Sequence, residues 1–104
     1  MAEFEKVAKT SEINPGEVKS VIVGNLAIAI CNSDGEYFAF IDECSHETLP
    51  LSDGILDGKT ITCAYHGAEF DVESGEALCL PAVDRIETFK LKVDGDDIYV
   101  LVED

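Results

Sequence analysis

At 104 residues, with 22 acidic side chains against 7 basic ones and a net charge of -15, the chain is far too acidic to present a nucleic-acid surface or to lie on an anionic membrane. Its length suits one domain, residues 1–104, of a size that buries roughly two-thirds of its unfolded surface. The longest apolar run, Leu26 to Cys31, is too short to span a bilayer, and Met1 to Lys9 has neither the basic start nor the apolar stretch of a targeting segment, so a cytoplasmic, monomeric protein is expected.

Taken in order, the chain reads as short strands separated by turns. Phe4 to Ala8 is a first strand, followed by a connection in which Pro15-Gly16 suits a tight turn. Val18 to Val23 and Leu26 to Cys31 flank Gly24-Asn25, a two-residue hairpin signal. Ser33-Asp34-Gly35 turns into Glu36 to Ile41, where Tyr37, Ala39 and Ile41 alternate with Phe38 and Phe40; apolar residues on both faces predict a central strand. Lys59 to Thr62 and Ala68 to Val72 form the arms of a hairpin. Ser74-Gly75-Glu76 precedes a strand over Ala77 to Leu80, and Val83 to Glu87 allows a helical turn. Glu87 to Val93 and Asp97 to Val102 form a last hairpin about Asp94-Gly95-Asp96. Strands at this spacing, with no long helix and no repeat, predict an all-β sandwich or barrel of short antiparallel strands.

The chemistry concentrates between Cys44 and Phe70, which holds both histidines and two of the four cysteines. They form two mixed pairs, Cys44-x-His46 and Cys63-x-x-His66, with 16 residues between His46 and Cys63. Two cysteines and two histidines can hold one tetrahedral zinc or an iron-sulfur cluster. Zinc sites of this composition usually pair cysteine with cysteine and histidine with histidine. Mixed pairs let each segment give one ligand to each iron of a two-iron cluster. The other cysteines, Cys31 and Cys79, sit in apolar, strand-like contexts and read as free core thiols of a reducing compartment. Asp42 with Glu43, and Glu69 with Asp71, read as solvated charge rather than as acid-base pairs.

These residues resemble the Rieske proteins, whose signature is Cys-x-His followed after a similar interval by Cys-x-x-His. Gly67 directly after the second histidine, the Asp53-Gly54 and Asp57-Gly58 turns, and Pro81 in the position of a third, proline-containing loop extend the resemblance over nearly the whole chain. In length it is most similar to the small ferredoxins of bacterial aromatic-ring-hydroxylating dioxygenase systems. The resemblance implies a Rieske-type β-sandwich whose cluster-binding subdomain, near residues 42–82, carries two ligand loops and a proline loop. It also implies one 2Fe-2S cluster, with Cys44 and Cys63 on the buried iron and His46 and His66 on the outer one.

Two departures bear on the redox chemistry. The high-potential members carry a further cysteine in each loop, joined as a disulfide, where this chain has Leu49 and Tyr65. They also have a serine and a tyrosine that hydrogen-bond sulfur, where this chain has Ala68 and Phe70. Donors to sulfur favour the reduced cluster, so a low potential for the family is predicted. Leu49 to Leu51, with Leu80 to Ala82, would form an apolar collar that shields the cluster and meets the partner.

The function implied is a one-electron carrier, not an enzyme, that passes electrons from a flavin NAD(P)H reductase to a terminal ring-hydroxylating oxygenase through transient, charge-steered docking. The alternatives are a small subunit of another redox system, such as a nitrite reductase or a monooxygenase, and a structural zinc-binding interaction module.

Overall fold

The alternation of large and small apolar residues in Leu26–Ser33 sets the architecture. Ile28 and Ile30 point to one side of that strand and Ala29 and Cys31 to the other, and all four are fully buried. A strand apolar on both faces must lie in a middle layer. The computed structural model, which describes residues 3–43, 50–64, 67–79 and 85–102 and only the backbone of Cys79, places it there.

Eleven strands are present among the described residues: β1 (Glu3–Lys9), β2 (Val18–Val23), β3 (Leu26–Ser33), β4 (Glu36–Ile41), β5 (Ile55–Asp57), β6 (Thr60–Thr62), β7 (Glu69–Asp71), β8 (Ala77–Cys79), β9 (Thr88–Phe89), β10 (Leu91–Asp94) and β11 (Asp97–Val102). They form three antiparallel sheets, ordered β1-β11-β10, β2-β3-β4-β9 and β5-β6-β7-β8. The all-β expectation therefore holds. Short 3-10 turns at Thr10–Glu12 and Leu51–Asp53 are the only helical segments among the described residues.

Two cores lie on opposite faces of the middle sheet. Ile28, Ile30 and Ala39 pack with Ala8, Ile98 and Val100 of the first sheet, and together these two sheets form a frame. Ala29, Cys31 and Phe40 pack with Ile61, Phe70 and Val72 of the third sheet. That third sheet is inserted in sequence between β4 and β9, which pair with each other as Ala39↔Phe89 and Phe40↔Thr88. The turns follow local chemistry. Gly24, at φ 61, occupies the first position of the two-residue β2-β3 hairpin, and Asp34 (φ 51) with Gly35 (φ 96) makes the left-handed pair that the β3-β4 turn requires.

Two readings need correction. Glu87 to Val93 is not one strand: β9 pairs with β4 in the middle sheet while β10 pairs with β11 in the first, so the chain changes sheets at Lys90. Alternation cannot register such a crossing, because both halves keep their period. Arg85 to Glu87 lacks helical structure, and the rest of the proposed helical turn lies outside the described residues.

Cys31 is buried as expected, and burial pushes its thiol from an ordinary 9.0 up to about 12. The neutral thiol is thus the favoured folded form. Its contribution is intact below pH 9 and is lost as pH rises from there towards about 12. A Cys31→Val variant should show a shallower alkaline decline of the denaturant midpoint than the native chain, and an equal slope in both would contradict this. For the same reason Cys31 should resist a maleimide in the native state, as peptide mapping by mass spectrometry would show.

Candidate metal centre

The hairpin that presents Cys63 is built from β6 and β7, in register as Thr60↔Asp71, Ile61↔Phe70 and Thr62↔Glu69. Pairing continues one step beyond the strands, where the Cys63 amide donates to the Ala68 carbonyl at 2.7 Å. The Gly67 amide then donates to the Cys63 carbonyl at 3.0 Å, closing a turn of five residues. Gly67 reaches that bond at φ 72, in the left-handed region that side chains resist, which accounts for glycine directly after the Cys-x-x-His motif. Cys63 is 1% exposed and packs in the core with Leu51, Ala68 and Phe70. A buried thiol at the base of a tight turn, in dry apolar surroundings, suits a soft ligand to an inner iron.

Of the four predicted ligands, Cys63 is described; Cys44, His46 and His66 lie outside the described residues, as do Leu49, Tyr65 and Leu80 to Ala82. Their flanks are well defined. Before Cys44, the chain leaves β4 with the Ile41 amide bonded to the Glu87 carbonyl (2.8 Å) and the Asp42 amide to the Ala27 carbonyl (2.9 Å). After residue 49, Pro50 leads into the Leu51–Asp53 turn, and the Ser52 amide and hydroxyl both donate to the Asp42 carboxylate, each at 2.7 Å. Below the proline-containing segment, the Ile86 amide donates to the Gly75 carbonyl (2.8 Å) and an Arg85 Nη2 donates to the Ser74 carbonyl (2.7 Å). One core thus holds a residue from the neck of each of the three segments: Leu51, Cys63 with Ala68, and Ile86.

Two glycines let these necks come together. A Cβ on Gly54 would overlap the carbonyl oxygen of Thr62, the residue before Cys63, and one on Gly75 would overlap the Ile86 carbonyl. Only hydrogen fits at either place. Lys59 links the β5-β6 turn to the β7-β8 connection by pairing with Glu73 at 3.0 Å, and that hydrogen-bonded pairing raises its pKa.

Several residues differ from their expected roles. Asp42 is not solvated charge: it is 7% exposed and fully engaged by Ser52. Asp71 caps the following turn, its Oδ1 accepting the amides of Glu73 and Ser74 at 2.8 and 3.1 Å. Leu51 belongs to the core rather than to an exposed collar. Nothing local in the sequence marks Asp42, whose partner is ten residues away, whereas Asp53-Gly54 stood out only as a turn. An open groove of about 680 Å³ runs between Glu12–Ser20 and Ser52–Leu56; it is the seam between the frame and the inserted sheet.

Comparison with known proteins bears on what this centre holds. The family model described as "Rieske [2Fe-2S] domain" matches residues 3–90. The ferredoxin component of biphenyl 2,3-dioxygenase from Rhodococcus jostii (strain RHA1) is 39% identical over 98 residues, covering 94% of this chain and 92% of its own. The 3-phenylpropionate/cinnamic acid dioxygenase ferredoxin subunit of Escherichia coli (strain K12) is 43% identical over 74 residues, 70% of each chain. Among solved structures, the Sphingomonas yanoikuyae B1 ferredoxin superposes with a TM-score of 0.89 at 28% identity, covering 94% of this chain and 97% of that one. A chain from the complex of reduced oxygenase and oxidized ferredoxin in carbazole 1,9a-dioxygenase gives a TM-score of 0.88 at 32% identity, covering 93% and 91%. The overall fold is therefore shared with ferredoxins of known structure.

Proposed function

The chain belongs to the Rieske 2Fe-2S family, and from that premise we propose the path of its electron: from a flavin-containing NAD(P)H reductase, through the centre at Cys44, His46, Cys63 and His66, to a terminal ring-hydroxylating oxygenase. It is an electron-carrying ferredoxin component of the dioxygenase type, and catalysis belongs to its partners. The observation that supports these ligands best is the convergence of three segment necks on one core that contains buried Cys63.

In this proposal residues 1–104 act as one Rieske domain whose cluster-binding part spans about 42–82, working in the cytoplasm as a monomer. Cys44 and Cys63 hold the inner iron, and His46 and His66 hold the outer one. When bound, the cluster takes up and releases a single electron at a potential within the range of about -150 to +300 mV known for Rieske centres generally. The protein's own part is to limit movement. Each neck is pinned by short hydrogen bonds to the frame or to the inserted sheet, so the ligands shift little between oxidation states, and little reorganisation opposes transfer. A net charge of -15 steers the carrier towards basic docking surfaces, with association that weakens in salt.

Electron paramagnetic resonance of the dithionite-reduced protein, with iron and zinc analysis, tests the ligand assignment. A rhombic signal with a low average g value and two irons per chain is expected; a silent sample with one zinc per chain would overturn it. The potential follows from the residues around Cys63. Ala68 and Phe70 are both buried and offer no hydroxyl to sulfur, and exposed Glu43 and Asp53 flank the segment that carries Cys44 and His46 with negative charge. Protein-film voltammetry should place the midpoint in the lower half of the Rieske range, and a value in the upper half would contradict this.

A further inference from the structure

Asp42 is the one charged residue that is buried among the described residues, and the fold alone does not require a charge there. Burying a carboxylate costs free energy unless it is fully hydrogen-bonded, and a well-packed apolar residue usually serves stability as well or better. Both carboxylate oxygens are satisfied by a single residue, Oδ1 by the Ser52 amide and Oδ2 by the Ser52 hydroxyl, each at 2.7 Å. Two charge-assisted bonds from one partner fix orientation as well as distance.

Each side of this contact is fastened independently. Asp42 is tied to β3 through its amide, and its neighbour Ile41 is tied to Glu87. Leu51 is fully buried, the Gly54 amide donates to the Leu51 carbonyl at 2.9 Å, and Gly54 lies against the carbonyl of Thr62. The contact therefore closes the neck of the segment that carries Cys44 and His46, and it references that neck to the strand that delivers Cys63.

We propose that Asp42 and Ser52 are a positioning pair that fixes Cys44 and His46 relative to Cys63, and through them governs how tightly iron is held and at what potential it is reduced. This rests on the assignment of Cys44 and His46 as ligands. Partners beyond the ligands typically change metal affinity about 10–100-fold when removed.

The test uses the intact protein purified with its iron. Ser52→Ala removes the hydroxyl and keeps the amide; Asp42→Asn removes the carboxylate and keeps one acceptor; Ser52→Thr restores the hydroxyl. Measured are iron loss to a chelator, the g values of the reduced protein, the midpoint potential and the denaturant midpoint. Expected are about tenfold faster iron loss with altered g values and a shifted potential in Ser52→Ala and Asp42→Asn, and return towards native behaviour in Ser52→Thr. If the first two variants lower only the denaturant midpoint and leave iron loss, g values and potential as in the native protein, the pair is a fold contact and the proposal is wrong. Failure of the ligand assignment has a separate signature: Cys44→Ala or His46→Ala would keep native iron content and signal.

Discussion

A Cys63→Ala variant is expected to emerge colourless, without the low-g signal and with electron transfer reduced below detection. Cys63 is 1% exposed, and no polar group beyond its own turn is needed to keep it in place, because the β6-β7 register and the Gly67 turn already fix its backbone. In the proposed assignment, removing the thiol takes away an inner-iron ligand, and the described side chains packed with it, Ala68, Phe70 and Leu51, carry no donor to replace it. Cys31 supplies the control, since it lies in the same core, is equally buried and has the same volume, so Cys31→Ala leaves a similar cavity. Both variants should lose stability; only Cys63→Ala should lose iron, and with it the additional stabilisation that bound metal gives the folded state. Visible absorption and iron analysis of the two proteins, purified side by side, decide the matter. Retention of colour in Cys63→Ala would remove Cys63 from the ligand set.

The second large effect is expected at Gly54. Its φ is an ordinary -84, so alanine there costs nothing in backbone conformation. The whole cost is steric: the added methyl meets the Thr62 carbonyl, which no rotamer change can move aside. Overpacking against backbone should cost about 3 kcal/mol, a large share of the 5–15 kcal/mol typical of a small domain. At a urea dependence near 2 kcal/mol per molar, the midpoint should fall by about 1.5 M. Relief of the clash pushes β6 away from the Leu51–Asp53 turn, so iron content should fall as well. Gly58→Ala is the comparison. That glycine has φ 61 with open space around it, so its alanine bears only the left-handed penalty of about 1 kcal/mol and should keep its iron. If Gly54→Ala unfolds within a few tenths of a molar of the native protein, the close approach is not as described.

What the sequence discloses here depends on how local the cause is. The β2-β3 hairpin and the two-faced β4 follow from period-two alternation and turn residues and occur as read, while the last hairpin occurs with its first strand shortened to Leu91–Asp94. The β5 strand, three residues that start after one Asp-Gly pair and end on the Asp of the next, escapes that reading because so short a run has no period, and β6 alone makes it a strand. The proposed ligand quartet is legible because metal chemistry imposes residue types at fixed spacing. The necks beneath it are not. Asp42 looks like any surface acid until Ser52 is brought against it, and Gly54 and Gly75 look like turn residues until a carbonyl from a distant strand is seen where a side chain would be. Long-range contacts leave no periodic trace.

The pairing of β4 with β9 has one further consequence. Ile41 and Glu87 share a hydrogen bond, so the chain departs from the frame and returns to it at neighbouring points. Everything between behaves as a cartridge plugged into a hairpin: excising it and joining Ile41 to Glu87 through a short turn leaves every strand of the frame with its neighbours, at only a small change in loop-closure entropy. Conversely, any sandwich that offers a closed strand pair and a flat apolar landing face like that of Ala29, Cys31 and Phe40 could receive the same cartridge. Redox capability is in this sense portable, separable from the scaffold that carries it.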